Sequence, residues 1–183
     1  MHIYNRGVNR EQIFFTDSSY QFFIDLLAKS LMRDVLSIHS YCLMPNHFHL
    51  TIRQEDPYAV SVFMKRVCEP YAKAVNKLLH RHGHLFEERF QAKHISDPSQ
   101  LLQVSRYIHL NPVTAKMVDS PLSWEYSSCA EYYGRRESAY LTTDITLSLV
   151  GGPEDYARYL RKCRDGYSEE VVKCLIDWEK PGL

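Results

Sequence analysis

The sequence lacks any apolar run close to the roughly 18 residues needed to cross a bilayer, so no membrane-spanning helix is expected. It also lacks a C-x-x-C pair. The cysteines Cys42, Cys68, Cys129, Cys163 and Cys174 are scattered and odd in number. That spacing argues against a thiolate zinc site and a disulfide framework, and fits reduced thiols buried as small hydrophobes in a cytoplasm. The opening, MHIYNRGVNR, is polar and basic with no apolar h-region, so no secretory signal is expected. Internal repeats and low-complexity tracts are missing as well. Net charge is absent too, with 22 Lys/Arg against 22 Asp/Glu.

What is present is enough apolar material for a core. Of 183 residues, 45% are hydrophobic, which fits one domain with appendages and argues against wholesale disorder. The zero net charge hides an asymmetry. Residues 1–56 carry 5 basic and 6 acidic side chains, residues 57–116 carry 9 and 4, and residues 117–183 carry 8 and 12. The middle third is therefore the candidate face for a polyanion, although a solvated helix face would also account for it.

Hydrophobic period and turn residues order the elements. His2–Asn5 reads as a strand, followed by the RGVNR turn and an extended piece at Gln12–Phe15. Thr16-Asp17-Ser18-Ser19 starts a helix of about 18–33. Leu36–Met44 and His47–Arg53 form a hairpin across Pro45-Asn46. A helix covers 57–81, with Pro70 expected to kink or split it and Gly83 to end it. Leu85–Ser96 reads as an edge strand, and a third helix runs from Asp97-Pro98-Ser99 until Asn111-Pro112. Trp124–Tyr133 reads as a short helix, and further helices are expected at 153–165 and 168–179. This order predicts an α+β fold, a ferredoxin-like antiparallel sheet with helices packed on one side, plus a helical C-terminal extension. The predicted division is residues 1–133 and residues 134–183.

The stretch MPNHFHLTI places two imidazoles where a core strand would carry aliphatic side chains. Successive strand residues face opposite ways, so His47 and His49 share a face and Phe48 takes the other. Their Cβ atoms should lie about 6.5–7 Å apart, close enough to converge on one ion. Two imidazoles do not complete a site, and a polar pair on a solvated face is the alternative. The richer-looking HRHGH (His80, His82, His84) has no shared periodicity and reads as a basic helix end. On the third helix, Tyr107 and Asn111 are one turn apart on one face. Asn111 precedes Pro112, so its amide is expected at a frayed end, turned outward.

NRGVNR, YCLMPNHFHL, GHLFEERF, SRYIHLNPVTAKMV and W-x-Y-S-S together, in this order over roughly residues 1–133, resemble the IS200-like single-tyrosine transposases. The branch they are most similar to is the REP-associated one. The resemblance implies a nucleophilic Tyr107, metal ligands His47, His49 and Asn111, and Mg²⁺ or Mn²⁺ as the ion. Imidazole chemistry alone leaves Zn²⁺ and Ni²⁺ open. It further implies single-stranded DNA beside a hairpin as partner, with cleavage and rejoining through a 5′-phosphotyrosine. Either a homodimer or a monomer is compatible with it.

Phosphate contacts are expected from Arg6, Arg10, Lys65, Arg66, Lys73, Arg89 and Lys93, with Lys77 and Arg81 adding to the same charge. Tyr71, Phe86 and Phe90 could stack on bases, although most such aromatics belong to cores. A domesticated hairpin binder that does not cut is the alternative function. A metal enzyme acting on another substrate class is disfavoured by the basic middle third.

Overall fold

The structure, a computed structural model, describes residues 1–162. Four antiparallel strands form one sheet: β1 (His2–Arg6), β2 (Leu36–Met44), β3 (His47–Gln54) and β4 (Gln91–Lys93). Their order is β2-β3-β1-β4. Helices α1 (Asp17–Ser30) and α2 (Ala59–Leu78) follow β1 and β3, which is the expected ferredoxin-like connectivity. Thr16 caps α1, accepting from Ser19 N while Ser19 Oγ accepts from Thr16 N.

One face of the sheet carries the main core. Ile3, Leu50, Ile52 and Phe48 pack there with Phe23 and Leu27 of α1 and Phe63, Val67 and Tyr71 of α2. The opposite face is not left to solvent. Helix α3 (Pro98–Thr114) lies over it, packing Val104, Tyr107 and Ile108 on Cys42 and Met44 of β2. The expectation of helices on one side therefore holds for α1 and α2 but not for α3. A β-bulge between Ile38 and Ser40 lets β2 serve both layers: Ile38 enters the main core, while Ser40 bonds Thr51 and Ser105 beneath α3.

Several boundaries moved, each for a local reason. Gln12–Phe15 is not a strand. Its Ile13 and Phe14 amides both donate to Pro45 O at the hairpin. Both α2 and α3 run through their prolines, because Pro70 and Pro112 each forfeit one backbone bond while the flanking turns stay packed. Of the expected edge strand, Gln91–Lys93 pairs against β1 and Phe86 makes an isolated bridge to Gly7, while the residues between them form no strand. The W-x-Y-S-S segment is a run of turns with a single bridge from Ser127 to Cys42 rather than a helix: Tyr126 and Ser128 bond along the open edge of β2, and α4 is confined to Cys129–Tyr132. That covers an edge otherwise open to pairing with another chain.

The described part of the C-terminal extension is helical, with α5 (Asp144–Ser148) and α6 (Pro153–Lys162). The helix expected at 168–179 lies outside the described residues, as do Cys163 and Cys174. Tyr156 and Leu160 of α6 pack against Leu110, Cys129 and Tyr132. His109 is fully buried at that junction, its Nδ1 2.7 Å from Tyr156 Oη and its Nε2 2.8 Å from Ser128 Oγ. Among the described residues no helix is long and apolar enough to cross a membrane.

Two motifs distant in sequence close on each other. Gly7 N donates to Asn46 O and Asn46 Nδ2 to Arg10 O, tying the NRGVNR turn to the hairpin of β2 and β3. A Cβ on Gly7 would sit 2.1 Å from Glu11 O and 2.9 Å from Ile13 Cγ2. Both neighbours belong to this knot and cannot yield without moving it. Gly7→Ala should therefore lower unfolding free energy by about 1–3 kcal/mol, measured by urea denaturation. A variant as stable as wild type would show that the turn is soft.

Candidate active site

Strands β1 and β3 position the histidine pair through their register. His47 lies opposite Arg6 and His49 opposite Tyr4, so all four share the face beneath α3. Phe48 points the other way and is fully buried in the main core. The two imidazole centroids are 5.1 Å apart, with planes at 79°. Tyr107, on the overlying helix, has its ring 5.3 Å from that of His49, edge to face. The chain thus brings together the two histidines and the tyrosine.

Asn111 joins them, from inside the helix rather than from the frayed end expected for it. Helix α3 continues to Thr114, so Asn111 is an interior residue of it, buried, with its amide beside the His47 ring. Tyr107 is also buried, at 4% exposure.

Burial sets the protonation of the imidazoles. It holds His47 down to about 4, against a partial upward pull from the Asn111 hydrogen bond. It holds His49 well below its usual range, helped by the neighbouring His47 and His2. Both rings are therefore neutral near pH 7, as metal ligation requires. Asn46 also decides which nitrogen of His47 is available. Its Nδ2 donates to the Arg10 carbonyl at 3.1 Å, which turns Oδ1 toward His47 Nδ1 at 2.7 Å. An amide oxygen only accepts, so His47 carries its proton on Nδ1 and keeps the lone pair on Nε2.

Two neutral imidazoles and an amide oxygen fit a divalent cation. Among the described residues no three His, Cys, Asp or Glu side chains are arranged to hold one, and Asn111 is the buried amide that α3 brings to the pair.

The proposed phosphate contacts divide by face. Arg6 and Lys93 lie on the histidine side of the sheet: Arg6 opposite His47 and ion-paired with Glu87, Lys93 opposite His2. Lys65, Arg66 and Lys73 are exposed on α2, which covers the other face. Arg10 is exposed in the 3-10 turn Val8–Arg10, with a positive φ of 59°, and Arg89 is exposed in a loop. Tyr71 is core, its hydroxyl donating to Ile13 O, and Phe86 and Phe90 are partly buried against the same core. His2 escaped the sequence reading altogether. It is buried beside His49, and the only signal was its even spacing with Tyr4 and Arg6 along β1.

The family model described as IS200-like transposase matches residues 1–111, which include every residue of this constellation. The chain belongs to the IS200-like transposase family. A Haemophilus influenzae protein described as a REP-associated tyrosine transposase is 28% identical over 99 residues, covering 48% of this chain. The match spans 55% of that relative, about half its length. The solved structure of a REP-associated tyrosine transposase bound to a REP hairpin is similar in fold, with a TM-score of 0.55 and 17% identity. It covers 77% of this chain and 88% of the other.

The buried histidines carry a pH dependence. Burial holds His2 and His109 down to about 3, whereas the unfolded chain protonates them near pH 6.5. Their neutral burial is fully tolerated above about 6.5, and stability is lost as pH falls from there toward 3. Between pH 7.5 and 5.0, unfolding free energy should drop by roughly 1–2 kcal/mol for each of the two, measured by urea denaturation. A flat profile would mean that these rings are hydrated.

Proposed function

We propose that this chain is a DNA strand transferase that cleaves and rejoins single-stranded DNA beside a hairpin, using Tyr107 as nucleophile. The observation that carries this reading is the placement of the Tyr107 ring against His49 across the sheet–helix interface. Family membership supports the transposase class. The hairpin named for the fold relative supports the kind of DNA. Tyr107 Oη attacks phosphorus and forms the 5′-phosphotyrosine. The bond to the 3′ oxygen breaks, and that oxygen leaves as a hydroxyl on taking up a proton. The phosphoester survives on the enzyme, so attack by another 3′ hydroxyl rejoins the strands without ATP.

His47 and His49 through their ring nitrogens, and Asn111 through its amide oxygen, would hold Mg²⁺ or Mn²⁺. Such an ion supplies charge neutralisation and P–O polarisation at the scissile phosphate. The residues around it orient and enclose. Tyr4 and α3 wall the site from water, and Asn46 keeps His47 in its ligating tautomer. Arg6 and Lys93, flanking the histidines, are the cations placed for the phosphates nearest the cut.

One observation favours the second reading, a hairpin binder that does not cut. Tyr107 is 4% exposed, so a phosphate reaches it only if α3 shifts or its side chain turns out.

Tyr107→Phe keeps the ring and its packing while removing the attacking oxygen. It should bind hairpin-flanked single strands like wild type, and cleavage and joining should vanish together. Wild-type protein with Mn²⁺ should give a denaturation-resistant DNA adduct that maps to the peptide carrying Tyr107. An adduct persisting in the variant assigns the nucleophile elsewhere. A wild type that binds hairpins yet forms no adduct with any divalent ion establishes the binder.

The division of cations is tested by salt dependence. Removing Arg6 and Lys93 should weaken single-strand binding and flatten the slope of log K against log salt by about 1–2. Alanines at Lys65, Arg66 and Lys73 should change that slope less. The reverse ranking would put the DNA on the α2 face.

A further inference from the structure

His2 belongs to no motif discussed above, yet it is only 1% exposed and lies next to the fully buried His49. The two are diagonal neighbours across the β1–β3 ladder, since His2 is opposite Thr51 and His49 opposite Tyr4. His2 Nε2 and His49 Nδ1 are 3.0 Å apart, the ring centroids are 5.1 Å apart, and the planes are within 26°. The rings therefore meet edge to edge through a hydrogen bond rather than face to face.

A neutral imidazole has one donor and one acceptor nitrogen, so this contact admits two arrangements. If His2 donates, His49 carries its own proton on Nε2, where a cation would have to bind. If His49 donates from Nδ1, its Nε2 keeps the lone pair. In the second arrangement the proton of His2 sits on Nδ1, a buried atom with no hydrogen-bond partner. The first arrangement would put a proton on the equally buried Nε2 of His49, so burial alone does not choose between them, and ligation of a cation at that nitrogen requires the second. His47 offers the precedent two residues away, its Nδ1 already committed to Asn46 by an acceptor that cannot donate.

We propose that His2 is a positioning residue for the metal site: its Nε2 accepts the His49 Nδ1 proton and so presents His49 Nε2 for ligation. His2 then does for His49 what Asn46 does for His47. Each ligand ring is held by a hydrogen bond from its Nδ1, and both Nε2 lone pairs are kept for one ion. Outer partners of this kind are most often carboxylates, carbonyls or water, and a second imidazole serves the same purpose here. This inference rests on the metal-binding reading under Proposed function, and its test separates the two.

The test uses the full chain with Mn²⁺ alone, titrated by electron paramagnetic resonance without DNA. His2→Phe keeps a planar ring but cannot accept the proton. His2→Gln can place its Oε1 near the position of Nε2 and accept it. Wild type should bind one Mn²⁺ in a manner lost in His47→Ala. His2→Phe should bind it about 10–100-fold more weakly, and His2→Gln should recover most of that loss. In ¹⁵N-histidine protein saturated with Mg²⁺, the His49 proton should reside on Nδ1. Equal Mn²⁺ affinity in wild type and His2→Phe overturns the role of His2 while leaving the metal site standing. A third directly bound imidazole nitrogen that disappears in His2→Phe also overturns it, by making His2 a ligand. No Mn²⁺ binding by wild type overturns the metal reading itself, and the role of His2 with it.

Discussion

The structure depends on the alternation at His47-Phe48-His49. Phe48 enters the core between α1 and α2, and its burial fixes the rotation of β3 about its axis. With β3 so fixed, both flanking imidazoles must face the other layer. A slip of one residue would put two polar rings into the main core and a phenylalanine under Tyr107. The apolar residue thus aims the histidines, and the register of β1 decides what they meet.

Opposite the main core the sheet carries a smaller, more polar layer. Beneath α3 lie His2, Ser40, His49 and Thr51, all buried and met by Ser105 of the helix, alongside the apolar group of Cys42 and Met44 with Val104 and Ile108 of α3. Polar groups out of water have to find partners, and this layer supplies many of them internally, through Ser40–Thr51–Ser105 and His2–His49. The result favours neutral imidazoles, which is the form that binds a cation. Farther along α3, His109 pins the same helix to Ser128 and Tyr156, so the C-terminal helices steady the element that carries Tyr107.

At the rim, the turn after β1 and the hairpin before β3 act as one piece. Asn9 and Arg10 both adopt positive φ, at 52° and 59°, which for non-glycine residues is uncommon and is held by surrounding bonds. The carbonyl of Arg10 is the atom that orients Asn46, and Asn46 in turn orients His47. NRGVNR and MPNHFHL are recognisable together because they are physically one device.

From the sequence alone came the alternation of β3, the pairing of β2 with β3, the positions of three long helices and the i, i+4 relation of Tyr107 to Asn111. All of these follow from local periodicity and turn chemistry, which a short window contains. The tertiary structure alone decided that α3 crosses to the histidine face, that Asn111 is buried against His47, and that Lys65, Arg66 and Lys73 lie on the opposite side of the sheet from Arg6 and Lys93. It also decided that His2 is a neighbour of His49. Those facts depend on which face each helix packs against and on the register between strands 47 residues apart. Such long-range packing is settled by the collective burial of many side chains, and no short stretch of sequence carries it.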